Sequence, residues 1–382
     1  MNNSDYLSQS SRLRNWWQAI ASGQDTSLLA RACRLPLAGL SELYWLGLKA
    51  NLALYTSGLK RRTTPALPVI SIGNLTMGGT GKTSAAVLVA RQLQQAGVKP
   101  AIVLRGYRRQ AGQPVVLTGD SGRARADIRT GGDEACMLTE LLADVPVGVG
   151  KRREEVISKL AQQTDVQVVV LDDGFQYFRM KRVADIVLID ATDDLSRQRL
   201  VPAGYLREPL GHLRRAHHIW LTHTDLVEPE TLLALRSKLR KIAESLPLVE
   251  TRHQITGLRP VNQSQPVAAQ LQQTQVLAVS AIGNPRSFEQ SLRHCGAQVS
   301  ALRYDDHHYY TDDDLREIDQ IATDRHADFI AITAKDAVKW PNLALSVPVT
   351  VVECQLQITS GEHAVAELLQ RAGQAADGAY HG

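Results

Sequence analysis

Residues 69–83 read VISIGNLTMGGTGKT, and this stretch decides the fold class. Val69–Ile72 is a short β-rich apolar run, which predicts a buried strand. The glycine-rich turn after it precedes a helix that we expect over about 82–95. In such a turn, backbone N–H groups converge on phosphate oxygens at the positive end of the helix. The stretch therefore predicts a nucleotide-binding P-loop, against the alternative of a glycine-rich turn that holds no ligand.

The residues that we expect to contact ATP form one continuous segment. Lys82 is placed to neutralise the β- and γ-phosphates, and the hydroxyl of Thr83 is placed to ligate Mg²⁺. The whole segment comprises Thr76, Met77, Gly78, Gly79, Thr80, Gly81, Lys82 and Thr83. ATP and Mg²⁺ are therefore the cofactors that the sequence predicts.

The loop departs from the strict P-loop pattern at its first position, where Thr76 stands in place of glycine. Its local form is similar to the GG-x-GKT loop of partitioning ATPases, which are membrane-associated regulatory P-loop ATPases. The lysine that precedes the glycine pair in those proteins is Met77 here. A regulatory ATPase of this type is an alternative that the sequence weakens but leaves open.

A second element of the nucleotide site is the run VVVLDD at 168–173. An apolar strand that ends in aspartate puts a carboxylate at the carboxyl edge of the sheet, where it can bind Mg²⁺ directly or through water. We assign Asp172 to the metal together with Thr83, and Asp173 to a catalytic role, in which it tunes the metal shell or positions the base. Which of the two aspartates touches the metal stays open, and the alternative is that both cap the following turn.

Downstream, short apolar runs alternate with helical segments, which predicts a parallel α/β sheet covered on both faces. A second series of the same kind begins near residue 248, and the stretch 259–275, rich in Gln and Pro, is typical of a connector. We therefore predict a P-loop NTPase-type sheet domain over 65–247 and a second, smaller α/β domain over 248–382.

Residues 1–64 form a third segment with a different character. Apolar side chains recur at helical spacing within 35–59, and the segment carries eight Lys and Arg residues against three Asp and Glu residues. This pattern favours an amphipathic, membrane-associating helix in the interface of a membrane with anionic lipid. The alternative is a helix that packs on the protein's own core. No run in the chain reaches the ~20 apolar residues of a membrane span.

The composition excludes several classes of protein. With 44% hydrophobic and 21% charged residues, the 382-residue chain has ordinary globular composition and is neither disordered nor collagen-like. The net charge of +4 is concentrated in the first 64 residues, so it does not indicate a nucleic-acid partner. The four scattered cysteines form no zinc or redox motif and are typical of a reducing compartment. No obligate protein partner is evident.

Across almost its whole length the chain resembles the tetraacyldisaccharide 4'-kinases of lipid A biosynthesis. The motifs that carry the resemblance are GNLTMGGTGKT at 73–83, LRGY at 104–107, GGDEA at 131–135, LDDGFQ at 171–176, PAGYLREPL at 202–210, AIGNPRSFE at 281–289, DDHHYY at 305–310 and TAKDAVK at 333–339. The chain departs from the family at Ser84, which is commonly proline, at Tyr177, which is commonly histidine, and at Ala334, where the family has glutamate.

The resemblance implies transfer of the γ-phosphate of ATP to the 4'-hydroxyl of a tetraacyl disaccharide 1-phosphate, at the cytoplasmic face of a Gram-negative inner membrane. The partners would be this glycolipid and the lipid of the inner membrane. The resemblance also implies a catalytic pair of Asp133 and His307, with His308 as scaffold. The alternative for Asp133 is the N-cap of the helix that follows it. Arg207 is a candidate phosphate clamp, and its alternative is a surface ion pair with Glu208.

Overall fold

The computed structural model describes residues 16–17, 20–21, 25, 27–106, 113–117, 131–142, 144–195, 199–261, 267 and 270–378. Tyr107 of the LRGY motif, the N-terminal Arg12 and Arg14, and part of the predicted connector at 259–275 lie outside the described residues.

The described residues form an α/β protein with one twelve-stranded sheet. The strands are β1 (Val69–Asn74), β2 (Pro100–Leu104), β3 (Val115–Leu117), β4 (Val147–Val149), β5 (Val168–Asp172), β6 (Ala184–Asp190), β7 (His218–Thr222), β8 (Leu248–Pro260), β9 (Gln275–Ser280), β10 (Gln298–Arg303), β11 (Phe329–Thr333) and β12 (Val349–Ser360). The helices are α1 (Leu28–Thr56), α2 (Lys82–Gln95), α3 (Asp133–Leu141), α4 (Arg153–Gln163), α5 (Pro229–Ile242), α6 (Pro285–His294), α7 (Asp312–Asp324), α8 (Ala334–Ala337) and α9 (Glu362–Gly378). Short 3₁₀ helices lie at Leu210–Arg215 and Thr224–Leu226.

The sheet is mixed but mostly parallel, as the alternation of strands and helices predicts. Its strand order is β10-β9-β11-β12-β8-β7-β6-β1-β5-β2-β4-β3, and only the β12–β8 and β3–β4 pairs are antiparallel. β1 lies between β5 and β6, so the carboxyl ends of three adjacent strands meet at the P-loop. β1, β2, β5, β6 and β7 are buried along their whole length, because helices cover apolar parallel strands on both faces.

β8 and β12 form a long antiparallel ribbon that the sequence did not predict. Their pairing runs from Thr350 opposite Pro260 to Ser360 opposite Glu250. Exposed and partly buried side chains alternate in the middle of β8, so this strand lacks the continuous apolar run on which the other predictions depend. Through the ribbon one sheet continues across both halves of the described chain, and a division into domains near residue 247 stays a prediction.

The core under the P-loop is built from β1, α2 and the C-terminal helix α9. Ile70 and Ile72 of β1 are fully buried in one cluster with Val89 and Leu93 of α2, and Leu368 of α9 belongs to the same cluster. Burial of an aliphatic side chain of this size contributes about 1.5–3 kcal/mol. The cluster therefore fixes the direction in which α2 presents its N-terminus to the cleft.

The N-terminal helix α1 starts earlier than the sequence predicts, at Leu28, and Pro36 lies within it. One face of the helix docks on the segment that carries Arg207. The hydroxyl of Ser41 donates to a backbone carbonyl of this segment at 2.9 Å, and the hydroxyl of Tyr44 donates to the carbonyl oxygen of Arg207 at 2.8 Å. The alternative of a helix that packs on the protein therefore holds for this face.

Another part of α1 is open to solvent and strongly apolar. Leu28, Leu35 and Leu43 are 83%, 79% and 65% exposed. Among the described residues, no helix has the length and apolar character that crossing a membrane requires. Insertion of these leucines into a membrane surface stays a prediction.

Candidate active site

The P-loop connects β1 to α2 through backbone conformations that suit glycine. Gly78 has a φ of 120° and Gly81 a φ of 81°, both in a region that residues with a side chain rarely adopt. The carboxamide of Asn74 donates to the hydroxyl of Thr80 at 2.9 Å and holds the loop from below. No side chain caps α2 at Gly81, so the first N–H groups of the helix point at a site for an anion.

The entry to the P-loop is tied to the PAGYLREP segment. The N–H of Met77 donates to a carbonyl oxygen of this segment at 2.7 Å, and the N–H of Arg207 donates to the carbonyl oxygen of Leu75 at 2.6 Å. Thr76 and Leu206 lie opposite each other in an antiparallel bridge between these contacts. The bridge brings the Arg207 side chain to the P-loop, although Arg207 lies 124 positions after Thr83, the last residue of that loop.

Asp172 lies beside the start of α2, at the end of β5. The hydroxyl of Thr83 donates to its Oδ2 at 3.0 Å, whereas its Oδ1 is buried without a hydrogen-bond partner in the described structure. Burial, and after it the carboxylate of Glu134, raises the pKa of Asp172 to about 7. Hard oxygen donors of this kind are what Mg²⁺ prefers. The orphaned oxygen and the neighbouring hydroxyl therefore fit the metal ion that the sequence predicts.

Asp173 contacts two positively charged side chains, those of Arg207 and Lys82. The guanidinium of Arg207 donates to both of its oxygens, at 2.7 and 3.1 Å, and Nζ of Lys82 lies 3.7 Å from its Oδ1. Burial alone would raise the pKa of Asp173, but the hydrogen bonds from Arg207 and the charge of Lys82 outweigh burial and lower it to about 2. The arrangement keeps two positive charges side by side, where a triphosphate needs them.

Arg207 is not paired with its neighbour Glu208, which was the alternative left open by the sequence. Glu208 is fully buried and contacts Nδ1 of His212 at 2.7 Å and the guanidinium of Arg215 at 2.5 Å, while Nε2 of Gln176 donates to it at 3.0 Å. Successive side chains of an extended segment point to opposite sides. Arg207 therefore faces the cleft, and Glu208 ties the segment to the body of the protein.

Asp133 and His307 meet across the cleft. Nδ1 of His307 lies 2.7 Å from Oδ2 of Asp133, and both side chains are largely buried. The alternative of an N-cap is wrong for Asp133, because the N-cap of α3 is Gly132 and Asp133 is the first residue of the helix. Its Oδ1 accepts a hydrogen bond from the N–H of Glu134 at 3.0 Å. Burial would raise the pKa of Asp133, but the hydrogen bond and charge of His307 outweigh burial and lower it.

His308, next to this pair, has a different position. Its ring stacks on Tyr304 with the centroids 4.7 Å apart, and its Nε2 lies 3.0 Å from Oδ2 of Asp314 in the first turn of α7. These contacts agree with the scaffold role expected for His308. Tyr177, which departs from the family pattern, is occupied elsewhere and donates to Glu154 at 2.5 Å.

Two lysines next to the pair were missed in the sequence. Nζ of Lys335 lies 3.5 Å from Oε1 of Glu134 and 3.2 Å from Oδ1 of Asp306, and Nζ of the buried Lys339 lies 4.0 Å from Oδ2 of Asp133. Burial would lower the pKa of Lys335, but the surrounding carboxylates raise it. The sequence signal that could have identified them is the four-residue spacing of Lys335 and Lys339 within TAKDAVK, because residues four apart lie on one face of a helical turn.

The P-loop, the two aspartates that follow β5, Arg207 and His307 line one cleft of about 750 Å³, and Asp133 contacts the cleft through His307. The P-loop, Arg105 and Arg207 contribute positive charge, and His307 and Lys335 form the opposite wall. Leu88 of α2, Met137 of α3 and Phe288 of α6 are among the apolar side chains that line it. A cleft of this size with apolar walls and a few convergent polar groups is typical of a small-ligand site.

Comparisons with known proteins show the family to which this chain is similar. The family model described as Tetraacyldisaccharide-1-P 4'-kinase, LpxK, matches residues 33–374. A tetraacyldisaccharide 4'-kinase of Elusimicrobium minutum is 36% identical over 307 residues, which cover 79% of this chain and 81% of that protein. A tetraacyldisaccharide 4'-kinase of Anaeromyxobacter sp. (strain Fw109-5) is 33% identical over 362 residues, or 94% of this chain and 95% of that protein. The crystal structure of LpxK from Aquifex aeolicus in complex with ATP is similar, with a TM-score of 0.70 and 25% identity over 89% of this chain and 99% of that one.

Proposed function

This chain belongs to the tetraacyldisaccharide 4'-kinase family, and we propose that Asp133 and His307 act together on the acceptor hydroxyl in its active site. The enzyme is an ATP-dependent kinase of lipid A biosynthesis, which transfers the γ-phosphate of ATP to the 4'-hydroxyl of a tetraacyldisaccharide 1-phosphate. The observation that carries the proposal is the 2.7 Å contact between Asp133 and His307, because His307 lines the same cleft as the P-loop.

The phosphate end of ATP is assigned to the P-loop. Its backbone N–H groups and the N-terminus of α2 receive the phosphate oxygens, and Lys82 and Arg207 neutralise their charge. Thr83 and Asp172 would hold Mg²⁺, which supplies charge neutralisation at the transferring phosphoryl group. Asp173 positions Lys82 and Arg207 through the contacts described above. Phosphoryl transfer depends mainly on such positioning and charge neutralisation.

The acceptor end is assigned to the pair of Asp133 and His307. A sugar hydroxyl loses its proton during transfer, and a positioned acid–base group contributes typically about 10²–10⁴-fold. Asp133 fixes the orientation of the imidazole through Nδ1. Lys335 and Lys339 balance the charge of Asp133 and of its carboxylate neighbours. The proton of the 4'-hydroxyl thus passes to the pair as the new P–O bond forms.

The glycolipid reaches this site from a membrane surface in the proposed arrangement. The exposed leucines of α1 and the exposed Lys60, Arg61 and Arg62 that follow the helix suit the interface of an anionic membrane. We place the enzyme at the cytoplasmic face of the inner membrane as a peripheral or monotopic protein. The docked face of α1 would then keep the segment of Arg207 close to the lipid surface.

Transfer of label from γ-³²P-labelled ATP with Mg²⁺ to a tetraacyl disaccharide 1-phosphate in detergent micelles tests the function. Wild type should label the lipid, and Lys82→Ala should not. Asp133→Asn and His307→Ala should each lose most of the transfer while retaining ATP binding. ATP hydrolysis without labelled lipid would contradict the acceptor assignment and favour a regulatory ATPase. Wild-type transfer by both pair variants would contradict the roles of Asp133 and His307.

A further inference from the structure

A four-residue segment, Ala281 to Asn284, connects β9 to α6 and lies between the P-loop and His307; we call it the bridging loop. Its C-terminal end rests on the P-loop. A Cβ atom on Gly79 would lie 3.2 Å from the backbone nitrogen of Asn284, and a Cβ atom on Gly283 would lie 2.9 Å from the nitrogen of Gly79. A side chain at Gly283 would force the P-loop to move, and one at Gly79 would be tight, so the two backbones are in close contact.

A buried carboxylate holds this end of the loop in place. Nδ2 of Asn284 donates to Oδ2 of Asp190 at 3.1 Å. Asp190 ends β6 and is almost fully buried; its Oδ2 also lies 3.0 Å from Nδ1 of His223, and its Oδ1 accepts from the N–H and hydroxyl of Thr192. Of these partners, Asn284 follows β8 in the chain, whereas Thr192 and His223 precede it.

The N-terminal end of the same loop holds the histidine of the active site. The carbonyl oxygen of Ala281 accepts a hydrogen bond from the N–H of His307 at 3.3 Å, and its N–H donates to Oδ1 of the buried Asp336 at 3.1 Å. His307 has a φ of 65°, a conformation that a residue with a side chain keeps only where its surroundings hold it. Ala281 is one of the groups that hold it.

Three residue steps cannot span more than about 11 Å. The two ends of the loop are therefore close together and each is held by its own contacts, so we expect a displacement of Asn284 to reach Ala281 and the backbone of His307. We propose that Asn284 and Asp190 are positioning residues, which set the distance between His307 and the nucleotide through the bridging loop. The inference rests on the proposed role of His307. It assigns the bridging loop a function in positioning His307, in addition to its contacts with the P-loop.

The test exchanges donor and acceptor at this contact. Asn284 also caps α6, because its Oδ1 accepts from the N–H of Ser287 at 3.3 Å. Asn284→Asp keeps a good N-cap but faces Asp190 with a second carboxylate. The double variant Asp190→Asn with Asn284→Asp restores a donor opposite an acceptor. Asn284→Ser keeps a cap and is too short to reach Asp190, so it serves if the other variants fold poorly.

Glu289→Gln is the matched control. Glu289 lies in the same helix, pairs with Arg303 at 2.6 and 2.8 Å, and does not belong to the bridging loop. This variant weakens the attachment of α6 without changing the contact with Asp190. Its kcat should stay within about twofold of wild type, while its melting temperature falls.

The readouts are kcat for phosphoryl transfer to the lipid, KM for ATP and melting temperature. Asn284→Asp should lower kcat about tenfold or more, since a small misplacement of reacting groups is costly, and Asn284→Ser should lower it by a smaller factor. The double variant should recover most of the loss in kcat. Wild-type kcat in Asn284→Asp or Asn284→Ser, or no recovery in a stably folded double variant, would overturn the inference alone. Wild-type kcat in His307→Ala would instead overturn the proposed pair and this inference with it.

Discussion

Nδ1 of His307 lies 2.7 Å from Oδ2 of Asp133, although 174 positions separate the two residues in the chain. The two side chains come from different elements: α3 supplies Asp133, and the loop between β10 and α7 supplies His307. Each is held on its own side, Asp133 by the N-terminus of α3 and His307 by the carbonyl oxygen of Ala281. The active site therefore depends on the long sheet that keeps both halves of the chain in register.

This contact predicts that the two residues behave as one unit in catalysis. Asp133→Asn and His307→Ala should each lower kcat by about 10²–10⁴-fold, and the double variant should lower it little more than the worse single variant. KM for ATP should change little, because neither side chain belongs to the P-loop. Steady-state transfer of ³²P to the lipid measures all three variants, and losses in kcat that multiply would contradict the pairing.

The two-point hydrogen bond between Arg207 and Asp173 predicts that lysine cannot replace this arginine. Arg207→Lys keeps the charge but loses the planar fork that contacts both oxygens of Asp173. We expect kcat/KM for ATP to fall by about 10–100-fold, in line with the loss of a charge-assisted, two-point contact.

Arg316→Lys provides the control for this change. Arg316 pairs with Asp313 at the surface of α7, and both side chains are mostly exposed. A surface pair of this kind contributes little, so kcat/KM should stay at the wild-type value. Equal values for Arg207→Lys and wild type would show that charge alone, without the fork, is sufficient at this position.

The nucleotide half of the site could be predicted well, because its sequence signals lie within short, continuous segments of the chain. The predicted helix over 82–95 is observed as Lys82–Gln95, where a glycine-rich start and Gly97 after the end mark both termini. The strand before Asp172 is an unbroken apolar run, and such runs are buried wherever helices cover both faces of a sheet. The pairing of Asp133 with His307 was predicted from the resemblance to the family, because the spacing of residues along the chain gives no sign of a contact between them.

The remaining features depend on contacts between distant residues. Arg207 stands next to Glu208 in sequence but pairs with Asp173, because adjacent side chains of an extended segment diverge. The β8–β12 ribbon has polar, alternating strands and is stabilised by long pairing that no local pattern encodes. Lys335 was visible only as part of a motif, and its carboxylate partners lie on α3 and in the Asp306–His307 loop.

A partly buried histidine next to the P-loop predicts how stability changes with pH. His253 packs against Gly81 and stacks on His223, and burial lowers its pKa from 6.5 to about 3. The imidazole is therefore neutral in the folded protein and takes up a proton only on unfolding. Its contribution to the free energy of unfolding is complete above about pH 6.5 and declines as the pH falls towards 3, by up to about 1.4 kcal/mol per pH unit.

Melting temperatures at pH 7.5, 6.0 and 5.0 without nucleotide test this linkage. His253→Gln removes the titrating group, so its melting temperature should fall less between pH 7.5 and 5.0 than that of wild type. His363→Gln changes an exposed histidine of α9, and its melting temperature should fall between pH 7.5 and 5.0 by as much as that of wild type. An equal fall in the melting temperatures of wild type and His253→Gln would contradict the assignment of a neutral imidazole at His253.

The exposed leucines of α1 predict that membrane affinity and folding can be separated. Leu28, Leu35 and Leu43 contribute little to the core, since most of each side chain is exposed. Changing all three to serine should weaken binding to anionic phospholipid vesicles by about tenfold or more, because apolar burial drives interfacial binding. The melting temperature in solution should stay unchanged.

Leu233→Ser, which alters a leucine of α5 that is 64% exposed, should leave vesicle binding as it is. Unchanged vesicle sedimentation of the triple variant would place the membrane contact on another surface of the enzyme.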